Sequence, residues 1–246
     1  MENKIAIIVP TKNEQQYLPR LIQSLENQTF QGFIKILADA NSSDQTRQIA
    51  QRHGFIITEG GHPYLGRNNG AEKAIDLGAE ILIFIDADII LPHPLFLEQA
   101  INEFQQRNLD VAGPLLTPYE IKNDQVVIST NPRFQLIYQL TNIGMLMLEK
   151  THRPAFQVFM MARASVHQAI GGFPAMEFAE DSQYATNAVA HGFRFGILRQ
   201  CGKVLVSPRR FQKKGLLGSR TPYFLANYFF GGNLSYGKTR LKYFDE

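Results

Sequence analysis

The sequence predicts an α/β fold: one open, mostly parallel sheet flanked by helices. Three observations carry that expectation. Residues 5–9 (IAIIV), 34–38 (IKILA) and 81–85 (ILIFI) are short runs, apolar throughout or nearly so. Strands of a parallel sheet are covered on both faces and read as continuous runs rather than alternations. Between them lie segments whose apolar residues recur three and four apart, the period of an amphipathic helix. The links are short, and strand–helix–strand units of this kind close as right-handed crossovers onto a single sheet.

Taken in order, Pro10 ends the first strand, and Leu18, Leu21, Ile22 and Leu25 mark a helix that Gly32 breaks. After the second strand, Asn41, Ser42, Ser43 and Asp44 offer side-chain acceptors for the unpaired N–H groups of a helix carrying Thr46, Ile49 and Ala50. Residues 55–58 form a third strand. A loop with Gly60, Gly61 and Gly66 then leads into a helix with Ala71, Ala74, Ile75 and Leu77, closed by Gly78. The second half is less regular. A helix is expected at 95–104, a strand at 111–116, a polar hairpin at 120–129 and an apolar helix at 134–147. A strand at 155–162, helical spacing at 185–190, and strands at 193–198 and 204–207 follow. Without a Pro-, Gly- or Ser-rich linker, a low-complexity tract or a repeat, residues 1–246 read as one domain with an elaborated second half.

Composition narrows the function. With 246 residues, 44% of them hydrophobic, the chain can bury about three quarters of its unfolded surface, which excludes disorder. Lys plus Arg number 25 against 22 Asp plus Glu. That balance lacks the basic excess of a general nucleic-acid binder, so no nucleic-acid partner is expected. A lone Cys201 cannot form an internal disulfide, and with six His it suggests no structural zinc. The opening Met-Glu-Asn-Lys lacks the basic and long apolar regions of a signal peptide, so a cytoplasmic, reducing setting is expected. The apolar-leaning stretches at 136–148 and 222–236 are interrupted and fall short of the ~20 residues of a membrane span. A peripheral contact with the inner face of a membrane is compatible with both.

In an open α/β sheet, ligands bind beyond the carboxyl ends of the strands. Three predicted strands end there in polar residues: Pro10-Thr11-Lys12-Asn13-Glu14, Asp39-Ala40-Asn41-Ser42-Ser43-Asp44, and Asp86-Ala87-Asp88. Two carboxylates one residue apart after a buried strand present hard oxygen ligands suited to Mg²⁺ or Mn²⁺, which complete their shell with water and phosphate. The bland alternative is an Asp88 that only caps a turn before Pro92. Farther on, Arg209-Arg210-Phe211-Gln212-Lys213-Lys214 holds four cations. Arg209 or Arg210, each following a strand end, suits a diphosphate through its planar fork of donors. A solvated loop or a patch for anionic lipid is the other reading. The histidines His152, His167 and His191 read as surface or half-buried residues without a ligand role.

Ile7-Ile8-Val9-Pro10-Thr11-Lys12-Asn13-Glu14, Asp39-Ala40-Asn41-Ser42-Ser43-Asp44-Gln45-Thr46, Gly66-Arg67-Asn68-Asn69-Gly70, Phe84-Ile85-Asp86-Ala87-Asp88, Gly171-Gly172-Phe173 and Glu180-Asp181 occur in that order. From about Lys4 to Arg210 this series resembles the family 2 glycosyltransferases, inverting enzymes with the Rossmann-like, A-type nucleotide-sugar fold. The resemblance implies a nucleotide-sugar-binding half over 1–118 and an acceptor-binding, catalytic half over 119–246. It implies that Pro10, Thr11 and Asp39 hold the nucleobase, with Asp39 accepting from a uracil N3–H. Asn13 and Glu14 would belong to the same donor loop, and Arg67 would lie near base and diphosphate. Asp86 would meet the ribose and the metal, Asp88 the metal. Asp181 matches the general base, and Glu180 either shares that role or contacts the acceptor. An acidic helix N-terminus is the structural alternative for this pair.

Two departures stand out. Asp39 is followed by Ala40 where the family often has a second acid. The chain has no Trp, and so lacks the Gln-x-x-Arg-Trp of processive synthases. The expectation is therefore transfer of one sugar from a UDP-sugar, with GDP- or dTDP-sugars next, to a hydroxyl acceptor. That acceptor is a saccharide, a lipid carrier or a small molecule, as in cell-envelope, glycolipid or polysaccharide synthesis. The competing enzyme reading, a sugar-phosphate nucleotidyltransferase, resembles proteins with a Gly-rich loop after the first strand, and residues 10–14 contain no Gly. A dinucleotide-binding oxidoreductase needs Gly-x-Gly-x-x-Gly there. A partner protein that has lost catalysis would show a damaged Asp-x-Asp or Glu-Asp pair, and both are intact.

Overall fold

The computed structural model describes residues 4–155, 158–176, 179–209 and 211. In chain order these form β1 (Ile5–Thr11), α1 (Leu18–Glu26), β2 (Phe33–Asp39), α2 (Thr46–Arg52), β3 (Ile56–Glu59), α3 (Pro63–Asp76), β4 (Ile81–Ile85), β5 (Ile89–Ile90) and α4 (Phe96–Gln106). There follow β6 (Val111–Lys122), β7 (Gln125–Ile128), α5 (Pro132–Leu148), β8 (Phe159–Arg163), α6 (Ala164–Ala169), α7 (Glu180–Ala190) and β9 (Phe195–Val206). Among the described residues nine strands share one sheet in the order β3-β2-β1-β4-β8-β6-β9-β5, with β7 hairpinned onto β6. Strands β1 to β4 run parallel, as do β6 and β9, while β8, β5 and β7 run against their neighbours.

The continuous apolar runs are explained by the two faces they cover. In β1, Ile5, Ile7 and Val9 pack with α1 and α4, while Ala6 and Ile8 pack with α3 and α7 on the opposite side. In β4, Ile81, Ile83 and Ile85 join the first core, and Leu82 and Phe84 join the second. Successive side chains of a strand point to opposite faces, so burial on both demands an unbroken run.

Several sequence expectations change. Gly66 lies inside α3 rather than in the loop before it, because Pro63 already starts the helix. A Cβ at Gly66 would meet only ordinary contacts, 3.4 Å from Pro10 and 3.5 Å from Ala38. One turn on, a Cβ at Gly70 would stand 2.4 Å from Ile8 Cγ2, so α3 approaches β1 only where a side chain is missing. The strands expected at 193–198 and 204–207 are one strand, β9, whose register against β6 jumps between Pro114 and Leu115. The intervening Arg199 and Gln200 donate their N–H groups to Glu103 Oε2 at 2.8 and 2.7 Å rather than to the ladder. The two-residue β5 and the six-residue α6 were too short to carry a period. The hairpin is present, turning on Asn123 and Asp124 with φ of 50° and 61°.

The apolar helix is α5. Tyr138, Asn142 and Met145 face inward, and the Asn142 amide brackets Leu116, donating to its carbonyl at 2.8 Å and accepting from its N–H at 2.9 Å. Leu136, Leu140, Ile143 and Met147 lie on the outward stripe and are exposed. His167 is buried, not at the surface, with Nδ1 3.3 Å from the Tyr184 hydroxyl, and burial lowers its pKa to about 4. Among the described residues no helix is long and apolar enough to cross a membrane. The aromatic segment at 222–236 lies outside the described residues.

Candidate active site

The carboxyl ends of β1, β2 and β4 meet along one edge, as the register of these parallel neighbours requires. Asp39 closes β2 beside Thr11 and is buried. Its carboxylate accepts from Thr11 Oγ1 at 3.3 Å, from Ser42 Oγ at 2.5 Å and from the Ser42 N–H at 3.0 Å. Arg47 stands 3.8 Å away. The loop after β1 is braced against the loop after β2. Asn13, in the left-handed region at φ 55°, accepts from the Ser43 N–H at 2.9 Å, and its own N–H reaches Ser42 Oγ at 2.9 Å. Its carboxamide oxygen thus serves the loop. Asp44 meets the Thr46 N–H at 2.9 Å, which supplies the expected helix-start acceptor. Burial pushes the Asp44 carboxyl upward, yet the Thr46 and Gln15 hydrogen bonds outweigh it and hold the group below the usual carboxylate range.

Asp86 and Asp88 flank Ala87, whose side chain is in the core. The turn is fixed by the Asp86 N–H donating to Val158 O at 3.0 Å and the Ile89 N–H to Asp86 O at 3.2 Å. Each carboxylate faces a guanidinium. Arg67, buried, donates to Asp86 Oδ1 at 2.8 Å and with its other Nη to Glu180 Oε1. Its guanidinium carbon lies 5.4 Å from the centre of the Phe173 ring. Arg209 Nε lies 2.7 Å from Asp88 Oδ2, while its two Nη atoms hold both oxygens of Glu14 at 2.8 and 2.7 Å. Its guanidinium carbon lies 4.2 Å from the centre of the Tyr17 ring. Glu14 is raised above its usual range by burial first, against the hydrogen bond and charge of Arg209, with Asp88 and Asp86 adding to the rise. Those three carboxylates therefore feel one another.

Asp181 follows Glu180 at the start of α7, where Ala179 takes the left-handed conformation at φ 58°. It borders a small recess walled by Phe84, Phe159, Met160 and Phe173, with Arg67 on one side. Burial, then the Glu180 charge, pushes its carboxyl up to about 7, with Arg67 pulling the other way. A carboxylate poised near neutrality suits proton abstraction.

The sequence profile described as "Glycosyl transferase family 2" matches residues 6–171, about two thirds of the chain. The chain belongs to glycosyl transferase family 2. Over 147 residues it is 33% identical to 4,4'-diaponeurosporenoate glycosyltransferase of Staphylococcus haemolyticus, covering 52% of this chain and 38% of that protein. Over 94 residues it is 33% identical to the GalNAc(5)-diNAcBac-PP-undecaprenol beta-1,3-glucosyltransferase of Campylobacter jejuni, covering 35% and 29%. The chain thus spans well under half the length of these two relatives. Among solved structures, S. aureus TarS 1-349 in complex with UDP-GlcNAc superposes with a TM-score of 0.62 at 21% identity, covering 84% of this chain and 59% of that one. The mannosyltransferase PcManGT from Pyrobaculum calidifontis, in complex with GDP-Man and Mn²⁺, gives 0.64 at 18%, covering 92% and 65%. The fold is the A-type glycosyltransferase fold that the sequence motifs predict.

Within this family 2 domain the predicted residues fall into three groups: Pro10, Thr11, Asn13 and Asp39; Glu14, Asp88 and Arg209; Arg67, Asp86, Glu180 and Asp181. Arg210 lies outside the described residues. Asn68 and Phe173 lie within the sequence motifs without an implied role. Asn68 makes a reciprocal pair with the Phe173 backbone at 2.9 and 2.8 Å, fixing the ring beneath Arg67. A Cβ at Gly172 would stand 2.6 Å from Asn68 Oδ1, and Gly171, with open space around it, is set by its left-handed φ of 74°. Tyr17, under Arg209, lies in no motif, and Ser42, on Asp39, lies in the second motif without an assigned role.

Proposed function

We propose that this domain is an inverting glycosyltransferase that moves one sugar from a nucleotide sugar, a UDP-sugar first, to an acceptor hydroxyl. The observation that carries the reading is the Arg67 bridge, which joins the Asp86 end of the donor motif to the Glu180-Asp181 pair within one buried network. Asp39, with its oxygens fixed by Thr11 and Ser42, would accept from the base N–H, and Asp86 would meet the ribose. The acceptor oxygen would attack the sugar C1 from the Asp181 side as the bond from C1 to the diphosphate oxygen breaks. Its proton would pass to the Asp181 carboxylate, and the electron pair would leave with the nucleoside diphosphate.

The donor set also suits a divalent cation. Asp86 and Asp88 are hard oxygen ligands facing a third carboxylate, Glu14, and Mg²⁺ commonly takes only one or two protein carboxylates. Among the described residues no group of three or more Asp, Glu, His or Cys is placed to hold a metal ion by itself. The assignment of Asp88 and Asp86 to Mg²⁺ or Mn²⁺ rests on the two-carboxylate set that such a cation accepts beside phosphate and water. When bound, the cation offsets the negative charge that develops on the departing diphosphate. Acceptor presentation at a membrane surface belongs to the same proposal, supported by the outward aliphatic stripe of α5, a helix whose sole charged residue is Arg133.

The reading is tested by thermal unfolding with Mn²⁺ and a panel of nucleotides and nucleotide sugars, beside D88A. Ligand at about 100 times Kd adds ~2.7 kcal/mol, and each kcal/mol moves the midpoint by roughly 2–4 °C. A metal-dependent rise with UDP or UDP-sugars, absent in D88A, is expected. A protein that no nucleotide stabilises contradicts the proposal.

A further inference from the structure

The Arg209 guanidinium holds one oxygen of a carboxylate assigned above to the cation. Its Nε is 2.7 Å from Asp88 Oδ2, both Nη atoms are taken by Glu14, and the Tyr17 ring backs the plane. All three nitrogens of the fork are committed at once. Formally, Glu14 and Asp88 contribute two negative charges and Arg209 one positive. A dication that took Asp88 Oδ2 would displace the Nε contact, and on either oxygen of this carboxylate it would sit beside a like charge in a half-buried site, where screening by water is reduced. A donor changes the balance. Its diphosphate carries at least two negative charges, and the planar fork that now grips the Glu14 carboxylate fits phosphate oxygens equally well.

We propose that Arg209 and the divalent cation compete for Asp88, and that the donor diphosphate relieves the competition by taking the guanidinium. This rests on the donor-site reading above and deepens it. Metal alone binds weakly, donor and metal bind with positive coupling, and Arg209 supplies much of that coupling. By linkage, whatever factor the donor adds to metal affinity, the metal adds to donor affinity.

The test needs no turnover. Bound Mn²⁺ is counted by electron paramagnetic resonance in wild type, R209Q and R209K, with and without saturating UDP, and D88A marks the Asp88-dependent signal. Wild type should bind Mn²⁺ alone weakly and gain about tenfold or more with UDP, within the usual range of coupling between sites. R209Q should bind Mn²⁺ alone about tenfold more tightly and lose most of the UDP gain, while R209K, which keeps the charge but not the planar fork, should fall between R209Q and wild type. Far-ultraviolet circular dichroism melts establish that each variant is folded. A folded R209Q whose affinity for Mn²⁺ alone equals or falls below that of wild type overturns the competition. If UDP still binds in that case, the donor-site reading survives. If UDP binds to no variant with or without metal, the donor-site reading fails as well.

Discussion

Asp181 has to be ionised to take a proton, and its surroundings set the pH at which that holds. Burial, and then Glu180, lift it to about 7 while Arg67 opposes them. Below that pH the group is protonated and cannot act as a base. The value of kcat/KM should therefore fall about tenfold per pH unit on the acid side of about 7 and level off above it. In E180Q one lifting charge is gone while Arg67 remains, so the acid limb should move to lower pH. A limb that stays in place in E180Q would remove Asp181 from the base role. Neighbouring side chains explain why so much of this was legible from residue type and order. Asp39, Asp86, Asp88, Glu180 and Asp181 all lie at element ends, where sequence shows chemistry plainly. The partners that hold them are less legible, because Tyr17 under Arg209 and Asn68 against Phe173 depend on contacts between distant segments.

The helix α3 carries Arg67 to Asp86, and its approach to the sheet decides whether that distance is met. Gly70 permits the approach: a methyl group there would be 2.4 Å from Ile8 Cγ2 on a strand that cannot yield. G70A is expected to cost about 1–3 kcal/mol by overpacking, read as a lower unfolding midpoint. Its kcat should fall further than the lost folded fraction accounts for, since Arg67 moves with the helix. An unchanged midpoint would mean that the contact relaxes freely. Strands β1, β2 and β4 were readable because burial on both faces forces unbroken apolar runs. The span of β9 was not, because four residues leave the ladder and two of them pair with Glu103, a side-chain contact without any sequence period. Gly66 reads as a loop residue for a related reason: glycine signals a break locally, while here Pro63 has already started the helix that runs through it.

Across the molecule, the donor groups gather at one end of the sheet, while α5 packs on β6 through Tyr138, Asn142 and Met145 and turns an aliphatic stripe outward. Leu136, Leu140, Ile143 and Met147 are exposed along it, with Arg133 at its start and Lys150 just past its end. Aliphatic side chains between basic ends suit an anionic lipid surface. Co-flotation with vesicles containing phosphatidylglycerol should exceed that with phosphatidylcholine alone and fall when Leu140 and Ile143 are replaced by Ser. Equal flotation of wild type and this variant would remove α5 from the contact. Neither outcome bears on the donor site, which lies on other elements.

On this reading one buried network binds a nucleotide sugar and supplies the base for its transfer. The most direct measurement is nucleoside diphosphate release from a UDP-sugar panel by wild type and D181N, with donor affinity measured in parallel by calorimetry. D181N should keep donor affinity within a few-fold of wild type and lose release by about 10²–10⁴-fold, the usual contribution of a positioned base. Release by D181N at the wild-type rate, with donor binding intact, would contradict that reading.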